Sequence, residues 1–174
     1  MNVAIRQSIH SNVYVENDYQ GNLSEESLAL INSLPWEKWF QIWLDSLRTN
    51  TELPNECELS LRLTSDRQIQ EYNHQYRQFN NPTDVLAFAA LESSIVMPEK
   101  LDEPTYLGDI IISLDTAQRQ AIEQKHALEV ELAWLSTHGL LHLLGWDHPD
   151  DDSLQAMLKR QSELIHSLNV FNHN

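Results

Sequence analysis

The stretch HGLLHLLGWDH, His138 to His148, places histidines at its first, fifth and eleventh positions and a glycine at its eighth. This is the spacing of the zinc-binding H-E-x-x-H-x-x-G-x-x-H pattern with one change, because Gly139 stands where the catalytic glutamate would be. Imidazoles four residues apart on a helix project from one face a turn apart, so His138 and His142 can share a metal ion. Gly145 lets the backbone leave the helix in a left-handed conformation, which turns Asp147 and His148 back toward the first two rings. Three neutral imidazoles with a fourth position open to solvent describe a catalytic zinc site, whereas structural zinc is usually closed by four protein ligands. Zn2+ is the expected ion, and another transition ion such as Ni2+ fits the same rings. His10, His74, His126, His166 and His173 lack partners at such spacing.

The absent glutamate narrows the chemistry. In peptidases with the glutamate form of the pattern, that carboxylate activates the metal's water, so Gly139 removes the base that peptide hydrolysis would use. A metal there still acidifies a bound water and polarises a phosphoryl oxygen, which suffices for hydrolysis if another group stabilises the developing charge.

The rest of the chain sets bounds on this site. Its 174 residues and 41% hydrophobic content suit one domain with a real core, expected to span residues 1–174. Cys57 is the single cysteine, which excludes an internal disulfide, removes thiolate zinc sites and suits a reducing compartment. No early segment has the form of a cleaved leader and no apolar stretch is long enough for a bilayer, so a cytoplasmic protein without a membrane partner is expected. The net charge of −15 opposes nonspecific binding to a polyanion but leaves room for a local site. Arg62, Arg67 and Arg77 fall within one short segment.

Hydrophobic period supplies the elements. Alternation predicts a first strand over residues 3–9, and SEESLALINS predicts a short capped helix. After Pro35, the helical spacing of Trp36, Trp39, Phe40, Trp43, Leu44 and Leu47 marks a core-facing stripe. ECELSLRLTS alternates strictly as a half-buried strand, and Ser65 with Gln68 forms a capping-box pattern opening the next helix. TDVLAFAAL and LGDIIIS read as further strands, Asp115 as the cap of the following helix, and LEVELAWLSTHGLLHLL as a strongly apolar helix ended by Gly145. A last helix follows the acidic turn HPDDD. This order predicts an α+β domain, a mixed four-stranded sheet packed with helices.

Three separated stretches carry a resemblance to one family. HGLLHLLGWDH resembles the H-G-x-L-H-L-x-G-Y-D-H signature of the YbeY family of bacterial metal-dependent endoribonucleases, with Trp146 where tyrosine is usual. NHQYRQFNNPTDVLAF resembles its L-N-x-x-Y-R-x-x-D-x-P-T-D-V-L-S-F segment, and LGDIIIS its L-G-D-I-x-I-S strand. The similarity covers about residues 55 to 169. It implies a zincin-like fold with zinc on His138, His142 and His148, on a C-terminal helix and the turn after it. It also implies cleavage of single-stranded ribosomal RNA, notably in maturing the 16S 3′ end, and a part in ribosome quality control.

Arg77 stands at the position of a functionally important arginine in that family, where a guanidinium can bind phosphate and stabilise charge on the scissile group. Arg77 and His138 are therefore the expected catalytic residues. Thr83, Asp84 and Asp109 are expected to line the same cleft, and Asp147 to orient a ligand histidine. Departures from the family pattern are Glu71, Tyr72, Asn80, Asn81 and Ala87, which lower the basicity of the region. The segment from about 18 to 51 is longer than a short family core needs and reads as a lineage-specific helical addition.

Two other readings remain open on the residues alone. One is hydrolysis of a peptide or small ester, which needs Asp84, Asp109 or Asp147 as base. The other is a ribosome-assembly factor with a mainly structural metal, whose acidic charge suits contact with basic ribosomal proteins of the small subunit.

Overall fold

Strict alternation from Glu56 produces strand β2 (Glu56–Thr64), in which Cys57, Leu59, Leu61 and Leu63 are shielded from solvent and the residues between them face the other way. The computed structural model describes residues 8–49, 53–90 and 103–169. Before β2 come β1 (His10–Asn17), α1 (Glu25–Ser33) and α2 (Trp36–Leu47). After it come α3 (Asp66–Arg77), β3 (Val85–Ala89), β4 (Thr105–Ser113), α4 (Leu114–Gln124), α5 (Leu128–Leu143) and α6 (Asp151–Ser167).

The sheet order is β1-β2-β4-β3. β2 pairs in parallel with both β1 and β4, and β3 closes one edge antiparallel to β4. Parallel neighbours need a long crossover, which α1 and α2 supply between β1 and β2. The result is the mixed sheet that the element order predicts.

The strand expected over residues 3–9 lies largely outside the described residues, and β1 begins at His10 instead. Its sequence HSNVYVEN buries only Ser11, because an edge strand needs no apolar face of its own. The helix after β4 is also capped differently from expectation. Ser113 is the N-cap, its hydroxyl accepting from the Thr116 amide, while Asp115 accepts from Asp66 N–H at 2.8 Å and from the Tyr19 hydroxyl at 2.5 Å.

One face of the sheet carries most of the core. α2 buries Trp36, Trp39, Phe40, Trp43, Leu44 and Leu47, the predicted stripe. Buried Trp43 finds a partner for its indole nitrogen, which donates to the Leu164 carbonyl of α6 at 3.0 Å. α5 is apolar around most of its surface and lies among β3, β4, α4 and α6, which is how a helix without a polar face is accommodated. On the opposite face α3 seats Ile69 against Leu86 and Ile111.

The start of α3 is tied to the end of β4 through Asp66. Its carboxylate accepts from the Ser113 and Thr116 hydroxyls, each at 2.6 Å, and from Arg119 at 2.8 Å. Burial works to raise its pKa, but these hydrogen bonds and the Arg119 charge outweigh it and hold the carboxyl below its ordinary value of 3.8. A lowered folded value means that the stability Asp66 contributes is complete above 3.8 and lost as pH falls through the folded value. Urea unfolding of Asp66→Asn should accordingly show lower stability at neutral pH and a shallower decline than the parent as pH falls below 3.8. Parallel curves would refute that assignment.

Candidate metal centre

α5 brings His138 and His142 to one face, with ring centroids 4.6 Å apart and their Nε2 atoms at 3.1 Å. The helix then stops in the manner that Gly145 allows. Its φ of +90° is a conformation other residues adopt at a cost, and Trp146 N–H reaches back to the Leu141 carbonyl at 3.0 Å. The returning turn sets the His148 ring 5.7 Å from that of His138 and 5.4 Å from that of His142. The three residues offer ligand atoms within 4.8 Å of one another.

This donor set fits a transition ion. Two nitrogens each about 2.0–2.1 Å from a tetrahedral zinc lie about 3.3 Å apart, close to the observed approach of the two Nε2 atoms. Burial lowers the pKa of His138, against the opposing effects of its Gln161 hydrogen bond and the Asp84 charge. Burial also lowers His142, reinforced by the two neighbouring imidazoles. Both rings therefore stay neutral, the ligating form, as pH falls below the ordinary 6.5.

Gly139 faces away from the cluster, toward the sheet. A Cβ at that position would stand 2.8 Å from Cγ2 of Ile110 on β4. The residue that replaces the peptidase glutamate is thus also a point of close approach between helix and sheet.

The other expected site residues divide into two groups. Arg77, the last residue of α3, lies along the outer edge of β3: it donates to the Ala87 carbonyl at 3.3 Å, and its guanidinium carbon sits 5.8 Å from the Phe88 ring centroid. Arg62 pairs with Glu16 and Arg67 with Glu71, whereas among the described residues no carboxylate pairs with Arg77. Thr83 and Asp84 form the turn that leads into β3. Asp84 accepts from Val85 N–H at 2.7 Å, from Gln120 at 3.1 Å and from the Thr83 hydroxyl at 3.3 Å, and it is near enough to His138 to act on its charge. β3 packs Val85, Ala87 and Ala89 on the core side beside α5, while Phe88, under the Arg77 guanidinium, points to the other face with its register partner Asp109.

Asp109 is not brought to the cluster. It alternates with Ile110, the residue beneath Gly139, and so points to the opposite face of the sheet, where it accepts from the Tyr106 hydroxyl at 2.8 Å. It lines a groove there with Tyr14, Arg62, Tyr72 and Phe88. Asp147 is exposed and accepts from the backbone N–H of His148 at 2.8 Å, so it fastens the turn rather than a ring. A side chain that does meet a ligand ring is Gln161 of α6, with Oε1 at 3.3 Å from Nδ1 of His138. Its one trace in the sequence is a polar residue on the apolar period of Met157 and Leu164, with which it shares burial.

A helix and turn presenting three imidazoles beside a mixed sheet, with a free strand edge next to them, is the arrangement of zincin-like hydrolases. The chain belongs to the YbeY family: the model of that family, described as Endoribonuclease YbeY, matches residues 22–169. The match takes in α1 and α2, the segment that reads from sequence as an addition. Endoribonuclease YbeY of Trichormus variabilis is 55% identical over 141 residues, covering 80% of this chain and 80% of its own. The protein of the same description from Picosynechococcus is 49% identical over 158 residues, covering 91% and 94%. Among solved structures, TM1509 of Thermotoga maritima shares the fold with a TM-score of 0.55 at 24% identity, over 90% of this chain and 89% of that one.

The packing of Gly139 generates a prediction that separates the two meanings of that residue. Gly139→Ala should lower stability by about 1–3 kcal/mol in chemical denaturation, through overpacking against Ile110. Gly139→Glu should be more destabilised still and acquire no peptidase activity. A Gly139→Glu variant as stable as the parent would contradict the close approach.

Proposed function

We propose that this protein is a metal-dependent endoribonuclease that cuts single-stranded ribosomal RNA in the cytoplasm, in maturation of the 16S 3′ end and in ribosome quality control. The observation that carries this reading is the three-imidazole cluster with Gly139 turned into the sheet, which leaves no general-base carboxylate at the position where a peptidase keeps one. The family membership and the description of its relatives as endoribonucleases support the same conclusion.

His138, His142 and His148 would hold the ion, for which zinc is the choice that best suits imidazole donors, with nickel an acceptable substitute. The ion would supply Lewis acidity toward a phosphoryl oxygen and lower the pKa of water in the site. Arg77 contributes the charge that the histidines lack. Free of any carboxylate among the described residues and held by Phe88 and the Ala87 carbonyl, its guanidinium can engage two phosphate oxygens and stabilise the extra charge of a five-coordinate phosphorus. Thr83 and Asp84 shape the near end of β3, where Asp84 helps hold the turn beside His138.

An RNA substrate has to meet a protein of net charge −15, so binding rests on a local site rather than on the overall field. The same acidity suits contacts with basic ribosomal proteins, through which the small subunit would present its RNA. A peptide or ester hydrolase is disfavoured because Asp84 is committed to Gln120 and Val85, Asp147 to the His148 amide, and Asp109 lies across the sheet.

The test is cleavage of single-stranded RNA with bound metal measured in the same preparations. Arg77→Ala should keep its metal and lose about 10²–10³-fold in rate, the usual effect of removing one charge-stabilising donor. His138→Ala should lose both metal and cleavage. A folded Arg77→Ala that cuts RNA at the parent rate, or a parent that cleaves peptides and spares RNA, would overturn the proposal. The product ends identify the nucleophile: a 2′,3′-cyclic phosphate reports attack by the RNA's own 2′-hydroxyl, and a 5′-phosphate reports attack by water.

A further inference from the structure

We propose that Gln161 is a positioning residue for the metal: its side-chain amide holds His138 in the one tautomer that leaves Nε2 free to ligate. This inference rests on the reading of His138, His142 and His148 as the metal site. Gln161 is a fully buried polar residue on α6 (0% exposed), facing α5. Its Nε2 donates to the Trp134 carbonyl at 3.3 Å, and its Oε1 lies 3.3 Å from Nδ1 of His138.

These two contacts fix the direction of the amide. A backbone carbonyl only accepts hydrogen bonds, so the amide nitrogen must be the end at Trp134 and the oxygen the end at His138. The oxygen also only accepts. Nδ1 of His138 must therefore carry the ring proton, which leaves the lone pair on Nε2. Nε2 is the atom that approaches Nε2 of His142 at 3.1 Å, on the side shared with His148. Trp134 and His138 are four residues apart on α5, so the glutamine spans one turn and ties the ring to the helix that bears it. Asp147, the carboxylate expected to do this work, bonds the backbone of His148 instead.

A buried glutamine serving packing alone would need no relation to the ring, and an apolar residue would fill the same space beside Met157 and Leu164 without having to satisfy two polar ends. The positioning role predicts a loss that packing does not. Outer-shell partners of ligand histidines usually contribute about 10–100-fold in metal affinity.

The experiment strips the full-length protein of metal and titrates it with Zn2+ alone against a chromophoric chelator, for the parent, Gln161→Met and Gln161→Glu, with urea unfolding as the control for folding. Gln161→Met, which keeps the length of the side chain and loses the acceptor, is expected to bind zinc about 10–100-fold more weakly. Gln161→Glu, which still accepts from Nδ1–H but sets an oxygen against the Trp134 carbonyl, is expected to be less stable to urea yet to bind zinc close to the parent. Zinc binding by folded Gln161→Met as tight as that of the parent would overturn the inference. The ring state is read independently in the parent by 15N NMR of the histidine side chains, which needs no variant to fold. A proton on Nδ1 of His138, with and without zinc, is expected; a proton on Nε2, or zinc on Nδ1, would overturn it. A parent that takes up no zinc at all would instead refute the metal-site reading on which the inference stands.

Discussion

The contact between Gly139 of α5 and Ile110 of β4 sets the depth at which the metal helix lies on the sheet. A Cβ at 139 would meet Cγ2 of Ile110 at 2.8 Å, so either the Ile110 side chain or α5 with its two histidines would have to move. The relation of the histidine face to the sheet is therefore a packing distance before it is a matter of chemistry. A close-packed interior transmits such a strain, through off-rotamer side chains and small backbone shifts.

Much of the architecture is legible in residue order because it rests on period and caps. The α2 stripe, the alternating β2 and the Ser65–Gln68 capping box all follow from rules acting within a few residues, and all appear where those rules place them. What escapes is set by neighbours distant in sequence. β1 takes its place from pairing with β2 and has no buried apolar row to announce it. Asp115 looks like a cap, yet Ser113 caps the helix, because Asp115 is drawn to Tyr19 and Asp66 from other elements.

The candidate site divides along the same line. The histidine ligands are a local pattern, a turn of helix and a glycine exit, so their spacing is enough to assemble them. Asp109 adjoins Ile110 in the chain but belongs to the other side of the sheet, which a short motif does not reveal without the phase of the strand. Gln161 carries no spacing signal linking it to His138, since the two meet only through the packing of α6 on α5.

The packing of α2 against α6 has a mechanical side. Hydrogen bonds join these helices on either side of Gln161, from Trp43 to the Leu164 carbonyl at 3.0 Å and from Arg160 to the Ser46 carbonyl at 2.9 Å and hydroxyl at 3.3 Å. The tryptophan-rich helix thus works as a buttress, clamping the stretch of α6 that holds Gln161 from the side remote from the histidines. Seen this way, α2 stiffens the mounting of a ring that, among the described residues, it does not itself bond.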